Sequence, residues 1–116
     1  IDQGLTYTIQ NIEDVHNALP DKPIVVLEAG WATTASEFSE QANEANQARY
    51  YREVAQWAKE TNTTFMFFAA FDEPWKGGGE NSSPNEIEKH WGVFYENRLP
   101  KESFKNYLKA NKTEQK

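Results

Sequence analysis

Carboxylates follow both of the long apolar runs in this sequence. Glu28 comes directly after the run from Ile24 to Leu27, and Asp72 and Glu73 come directly after the run from Phe65 to Phe71. A charged glutamate at the mouth of an apolar core needs either partners or a task. A salt-bridged structural role is the alternative for Glu28, and the pattern favours a functional one.

A lysine accompanies the second pair of carboxylates. Lys76 lies three residues after Glu73, where it can hold a positive charge beside Asp72 and Glu73. Adjacent carboxylates raise each other's pKa, whereas a nearby ammonium group lowers the pKa of both. The alternative is a solvated Asp-Glu-Pro turn without any chemical role. The motif alone does not decide between a charge-tuned site and a turn.

Three tryptophans lie in or beside the segments that carry these carboxylates. They are Trp31, Trp75 and Trp91. Large aromatic side chains at the mouth of a strand offer flat apolar faces, which suit the axial C–H surface of a sugar ring. Each tryptophan could equally be a packing residue. Three tryptophans near three carboxylates are more typical of a carbohydrate cleft than of a core.

Other kinds of site find little support. His16 has no second ligand at metal-binding spacing, and the run Gly77–Gly79 lacks the setting of a phosphate loop, so we predict no metal and no cofactor. The net charge of −6 has the wrong sign for phosphate backbones or anionic lipid, which argues against nucleic acid as a partner. The longest apolar run is far shorter than the ~20 residues of a bilayer crossing, so membrane insertion is not expected.

The elements that must position these residues alternate between helix and strand, which predicts an α/β fold with parallel strands. We predict that residues 1–116 form a single segment. The predicted elements are a helix over 3–19, a strand over 23–28, a helix over 44–60, a strand over 64–71, a loop over 76–86 and a helix over 103–110. Neither strand shows polar alternation, so both are expected to be buried on two faces. Two strands make an incomplete sheet, and the chain is expected to be a processed or excised part of something larger.

Three motifs resemble glycoside hydrolase family 17, the β-1,3-glucanase family. The segment Ile24 to Trp31, ending in Leu-Glu-Ala-Gly-Trp, resembles the strand that carries the family's nucleophile. The segment Phe71 to Lys76 is similar to the family's next strand end, and Glu88 to Phe94 is similar to its following Glu-Arg-x-Phe-Gly-Leu-Phe segment. The motifs occur in the family's order, and the tryptophans at positions 75 and 91 look more like the microbial branch than the plant branch.

This resemblance implies a (β/α)₈ TIM barrel, of which the chain would be the C-terminal portion, about the last two βα units. Glu28 would be the catalytic nucleophile at the end of the seventh strand. Substrate-binding residues would be Trp31, Trp75, Trp91 and Phe71, and residues that support the cleft would be Asp72, Glu73, Lys76 and Glu88. Ala29, Ala32 and Thr33 depart from the plant pattern, which should alter the shape of subsites more than the chemistry.

The resemblance also implies the activity of a retaining β-1,3-glucan hydrolase, exo or endo, or of a glucan transglycosylase. In the family the general acid/base lies at the end of the fourth strand, which would precede Ile1. The segment alone is therefore expected to be inactive and to self-associate, and the family's location is secreted, periplasmic or in the cell envelope. A glucan-binding fragment without turnover and an α/β assembly domain with structural carboxylates are the alternatives.

Overall fold

Helices and strands alternate along the chain in the computed structural model, which describes residues 1–79 and 81–105. The elements are α1 (Gly4–Ala18), β1 (Val25–Ala29), α2 (Glu44–Thr61), β2 (Thr64–Phe67) and a 3₁₀ turn (Ile87–Lys89). Residues 102–105 form a helical turn, and the rest of the helix predicted over 103–110 lies outside the described residues. The described part of the loop over 76–86 contains turns and bends without helix or strand. No helix in the described residues combines the length and apolarity that a membrane crossing requires.

The two strands form a parallel pair. Val25 pairs with Thr64, and Ala29 pairs with Phe67, with an irregularity in register between them. Parallel pairing brings the carboxyl ends of β1 and β2 to the same side of the sheet. The expected nucleophile and cleft residues belong to this side, and for that expectation we call it the catalytic edge. The segments after the two strands, residues 30–34 and 72–76, therefore leave the sheet at the same place; we call them the first and second edge loops.

β2 is shorter than the predicted strand over 64–71, because the backbone changes partner after Phe67. The N–H of Phe68 still donates to the Ala29 carbonyl at 2.8 Å, whereas that of Ala69 donates to the Trp91 carbonyl at 2.9 Å. The N–H of Phe94 then donates to the Ala70 carbonyl, and Phe71 forms an isolated bridge with Phe94. Residues 91–94 thus act as a third, irregular strand beside the continuation of β2.

α2 supplies most of the core. Asn43 caps its first turn, accepting a hydrogen bond from the Asn46 N–H at 2.8 Å. The buried side chains of α2 that join the hydrophobic core are Tyr50, Tyr51 and Val54. Burial raises the pKa of the Tyr51 phenol, whose hydroxyl donates to the Phe68 carbonyl at 3.0 Å. α2 is therefore tied directly to the point at which β2 changes partner.

The expectation that both strands are buried on two faces is wrong for the described chain. Val25 is 49% exposed, Leu27 66% and Met66 52%. α2 packs against β2, where the rings of Tyr51 and Phe67 lie 4.2 Å apart, but the described residues leave about half or more of these three side chains exposed. They form a surface that we call the apolar strand surface. A sheet with this composition is stable when a second layer covers the surface.

Candidate functional site

Glu28 lies in β1, one residue before its end, at the catalytic edge. The sequence pattern placed it at the mouth of a buried core, whereas the structure leaves its side chain exposed. No ion pair among the described residues includes Glu28; the acidic partners in those pairs are Asp2, Glu53, Asp72 and Glu73. The geometry thus does not support the alternative of a salt-bridged structural glutamate.

Gly30 allows the first edge loop to leave β1 in close contact with the backbone of Phe68. A Cβ atom at this position would lie 2.1 Å from the carbonyl oxygen of Phe68, a distance that no side chain tolerates. The Trp91 ring lies beside the same position, with its Cε3 atom 3.3 Å from that Cβ position. The indole N–H of Trp91 donates to Glu88 at 3.3 Å. Trp91 and Glu88 are therefore joined and lie next to the end of β1.

Lys76 and Glu73 form an ion pair in the second edge loop, as their spacing predicted. The Nζ atom of Lys76 lies 2.5 Å from a carboxylate oxygen of Glu73. The same ammonium group lies 4.7 Å from the centre of the Phe68 ring, a cation–π contact. Phe68 in turn neighbours Trp91, with ring centres 6.1 Å apart. A cation, a carboxylate and two aromatic rings thus meet at the catalytic edge.

Asp72 differs from its neighbour Glu73, because it is enclosed by hydrogen bonds. One carboxylate oxygen accepts from the Gly92 N–H at 3.0 Å and from the Lys101 ammonium at 2.7 Å. The other oxygen lies 3.9 Å from Nδ1 of His90. Asp72 therefore holds the second edge loop to residues 90–92. These contacts suit a residue that positions its neighbours more than one that touches a ligand itself.

Lys101 is the residue that the sequence analysis missed. Its side chain is fully buried, at 0% exposure, and burial lowers the pKa of its ammonium group while Asp72 opposes that shift. It donates to the hydroxyl of Thr33 at 2.7 Å as well as to Asp72. Nothing in its local sequence indicates this role, since a single lysine in a polar segment is usually a surface residue.

The three tryptophans differ in their surroundings. Trp31 packs on Tyr50, with ring centres 5.5 Å apart, and its indole N–H donates to the Gln41 carbonyl at 2.9 Å, which makes it a packing residue here. Trp91 is half-buried beside Gly30. Trp75 is 60% exposed. Of the three rings, Trp75 therefore presents the most free surface to a ligand.

Phe71 and an open cleft complete the region around Asp72. Phe71 is 43% exposed, and its ring lies 5.6 Å from that of Phe94. A cleft of about 660 Å³ is lined by residues that include Asp72, His90 and Tyr95, and Glu28 is not among them. No group of three or more acidic, histidine or cysteine side chains within 1–79 and 81–105 could hold a metal ion.

Comparisons with known proteins agree with the three sequence motifs. Residues 1–92 match the family model described as BtgE/BtgC glycoside hydrolase domain. A glucan 1,3-beta-glucosidase of Saccharomyces cerevisiae is 34% identical over 70 residues, which cover 60% of this chain and 22% of that protein. A glucan endo-1,3-beta-glucosidase of Solanum tuberosum is 40% identical over 85 residues, covering 67% of this chain and 22% of that protein.

A solved structure supports the same relationship. An active-site mutant of Rhizomucor miehei beta-1,3-glucanosyltransferase, in complex with laminaritriose, superposes with a TM-score of 0.74 at 26% identity. The superposition covers 88% of this chain and 36% of that one. The chain thus spans well under half the length of these relatives. It belongs to the BtgE/BtgC glycoside hydrolase domain family and is related to the β-1,3-glucanases and glucanosyltransferases of family 17.

Proposed function

We propose that the complete gene product containing residues 1–116 cleaves β-1,3-glucan with retention of configuration, and that this chain supplies the nucleophile, Glu28. The observation that carries the proposal is the position of Glu28: exposed at the catalytic edge, outside the ion pairs of the described residues, and two residues before Gly30, which the Trp91 ring adjoins. The related hydrolases and the glucanosyltransferase solved with laminaritriose support this substrate class. The chain would form the C-terminal part of a (β/α)₈ barrel, whose other strands would cover the apolar strand surface.

The chemistry follows that of retaining glycosidases. The Glu28 carboxylate attacks the anomeric carbon, the glycosidic C–O bond breaks, and a second carboxylic acid about 5 to 5.5 Å away protonates the leaving oxygen. Water or the hydroxyl of another glucan then attacks the glycosyl-enzyme and releases Glu28, while the second group accepts the proton. We place that second group outside residues 1–116. Water as acceptor gives hydrolysis, and a glucan hydroxyl gives transfer.

The ion pair of the second edge loop has a supporting part in this proposal. The Lys76 ammonium is fixed from two sides, by Glu73 at 2.5 Å and by the Phe68 ring. The second edge loop thus presents a fixed positive charge at the catalytic edge, where it can help to orient charged and polar groups of the site. Glu88 has a related role, because its hydrogen bond orients Trp91 beside the end of β1.

Assays of the complete gene product and of residues 1–116 alone, side by side, test the proposal. We expect the complete protein to release sugar or longer glucans from laminarin and the segment to release none. The segment should also elute as an associated species in size exclusion with light scattering, because its apolar strand surface is uncovered. A monomeric segment that releases glucose would contradict the proposal. Retention of the complete protein on insoluble β-glucan without any product would instead support the binding alternative.

The exposed ring of Trp75 provides a test of whether a tryptophan of this chain stacks on the sugar. Trp75→Ala should weaken binding of a laminari-oligosaccharide by roughly 1 to 3 kcal/mol, because stacking on a sugar buries much of an exposed indole. Isothermal calorimetry on the complete protein, inactivated by Glu28→Gln, measures the change. Trp31→Ala is the matched control: its ring packs on Tyr50, so it should lower thermal stability and leave affinity unchanged. Equal affinity of the Trp75→Ala variant and its parent would show that Trp75 does not stack on the sugar.

A further inference from the structure

We propose that Lys101 is a positioning residue that couples the two edge loops, and through them fixes the geometry of the catalytic edge. The inference rests on the proposed function, since it concerns the same edge. Lys101 itself is fully buried, so its side chain is not available for contact with a sugar. It would therefore act only through the residues that it holds.

The contacts of Lys101 join three separate segments. Its ammonium group donates to Thr33 in the first edge loop and to Asp72 in the second, each at 2.7 Å. Its backbone N–H donates to the Val93 carbonyl at 2.9 Å, which ties the same residue to the irregular strand 91–94. One residue thus connects both edge loops and the irregular strand 91–94.

Further hydrogen bonds close this connection into a ring. The N–H of Thr33 donates to the His90 carbonyl at 3.0 Å, and the N–H of Gly92 donates to Asp72 at 3.0 Å. Each edge loop is therefore bonded both to Lys101 and to residues 90–92. A movement of either loop must break one of these bonds, so the position of the first loop depends on that of the second.

The loops coupled in this way carry the proposed chemistry. The first edge loop begins two residues after Glu28, and the second contains the ion pair of Glu73 and Lys76. Trp91 adjoins Gly92, whose amide is held by Asp72. The ring of contacts around Lys101 consequently fixes the nucleophile strand, the cationic pair and the half-buried tryptophan relative to one another.

Packing alone does not account for a lysine at this position. Removal of an ammonium group from water is costly, and a well-packed apolar side chain often stabilises a fold equally well. The ammonium group instead supplies directed donors, which Thr33 and Asp72 accept, and it lies 5.3 Å from the centre of the Tyr95 ring. The carboxylate of Glu44 on α2 adds a further favourable charge interaction.

Three variants of the complete gene product test the coupling. Lys101→Met keeps the length of the side chain and removes its donors. The double variant Lys101→Met/Asp72→Asn also removes the carboxylate charge that the single variant would leave buried without its partner, which protects the fold. Lys105→Met is the matched control. It makes the same substitution at an exposed lysine four residues further along the chain.

The first measurement separates kcat from KM on laminari-oligosaccharides. Both Lys101 variants should lose roughly 10- to 100-fold in kcat, because a displacement of about 1 Å between reacting groups has an effect of this size. KM should change less than about threefold, since Lys101 touches no sugar, and Lys105→Met should match its parent. A folded double variant with the kcat of its parent would overturn the inference.

The second measurement is independent of activity. Amide hydrogen exchange should increase together in residues 30–34 and 72–76 of both Lys101 variants, and in neither loop of Lys105→Met. An increase confined to one loop, or to neither, would refute the coupling. If the unmodified protein does not act on glucan, the proposed function fails by itself, and the exchange measurement still decides for or against the coupling.

Discussion

Glutamine in place of Glu28 is expected to lower kcat of the complete gene product on laminarin by about a thousandfold or more. The substitution preserves the volume of the side chain and removes the carboxylate that would form the glycosyl-enzyme. Because Glu28 is exposed and outside the ion pairs of the described residues, folding and oligosaccharide affinity should be unchanged. Steady-state kinetics and calorimetry together separate the loss of chemistry from a loss of binding.

The matched control for this prediction is Glu13→Gln, the same substitution on an exposed glutamate of α1. It should leave kcat unchanged. A 2-deoxy-2-fluoro-glucosyl inactivator should label Glu28, as identified by peptide mapping of the trapped adduct. A Glu28→Gln variant that retained a tenth of the parent's kcat, or an adduct on another residue, would show that the nucleophile lies elsewhere.

Alanine in place of Gly92 is expected to lower the free energy of unfolding by about 3 kcal/mol or more, because the site has no room for a side chain. A Cβ atom there would lie 2.2 Å from the amide nitrogen of Asp72 and 2.5 Å from the carbonyl oxygen of Phe94. Both atoms belong to the backbone and cannot move aside as a flexible side chain would. Chemical denaturation of the complete gene product measures the loss.

Gly79→Ala separates collision from backbone strain in this test. Gly79 has φ of 83°, which disfavours alanine, but nothing lies within 4 Å of its Cβ position. Its variant should therefore lose only about 1 to 2 kcal/mol, the usual cost of the left-handed region. Equal losses at the two glycines would mean that segments 69–72 and 91–94 are less closely apposed than the distances around Gly92 indicate.

The parts of the site that follow from local patterns could be predicted from the sequence. A β-branched run followed by a glutamate placed Glu28 at a strand end, and the three-residue spacing of Glu73 and Lys76 predicted their ion pair. These features depend on residues close to one another in the chain. The pairing of β1 with β2 followed from the helix between them.

Features that depend on distant parts of the chain could not be predicted in this way. Lys101 meets Thr33 and Asp72 across 68 and 29 residues of sequence, and nothing near Lys101 marks it. The early end of β2 has the same origin, since its continuation pairs with residues 91–94. Trp31 shows a different difficulty: stacking and packing select the same residue type, and only the position of Tyr50 distinguishes them.

The late position of Lys101 in the chain has a consequence for protein synthesis. A ribosome produces the chain from its amino end, so β1, α2 and β2 leave the exit tunnel before Lys101 emerges from it. The hydrogen bonds to Thr33 and Asp72 can form only after that step. The nascent polypeptide therefore acquires its scaffold first and the ordered geometry of its catalytic edge afterwards.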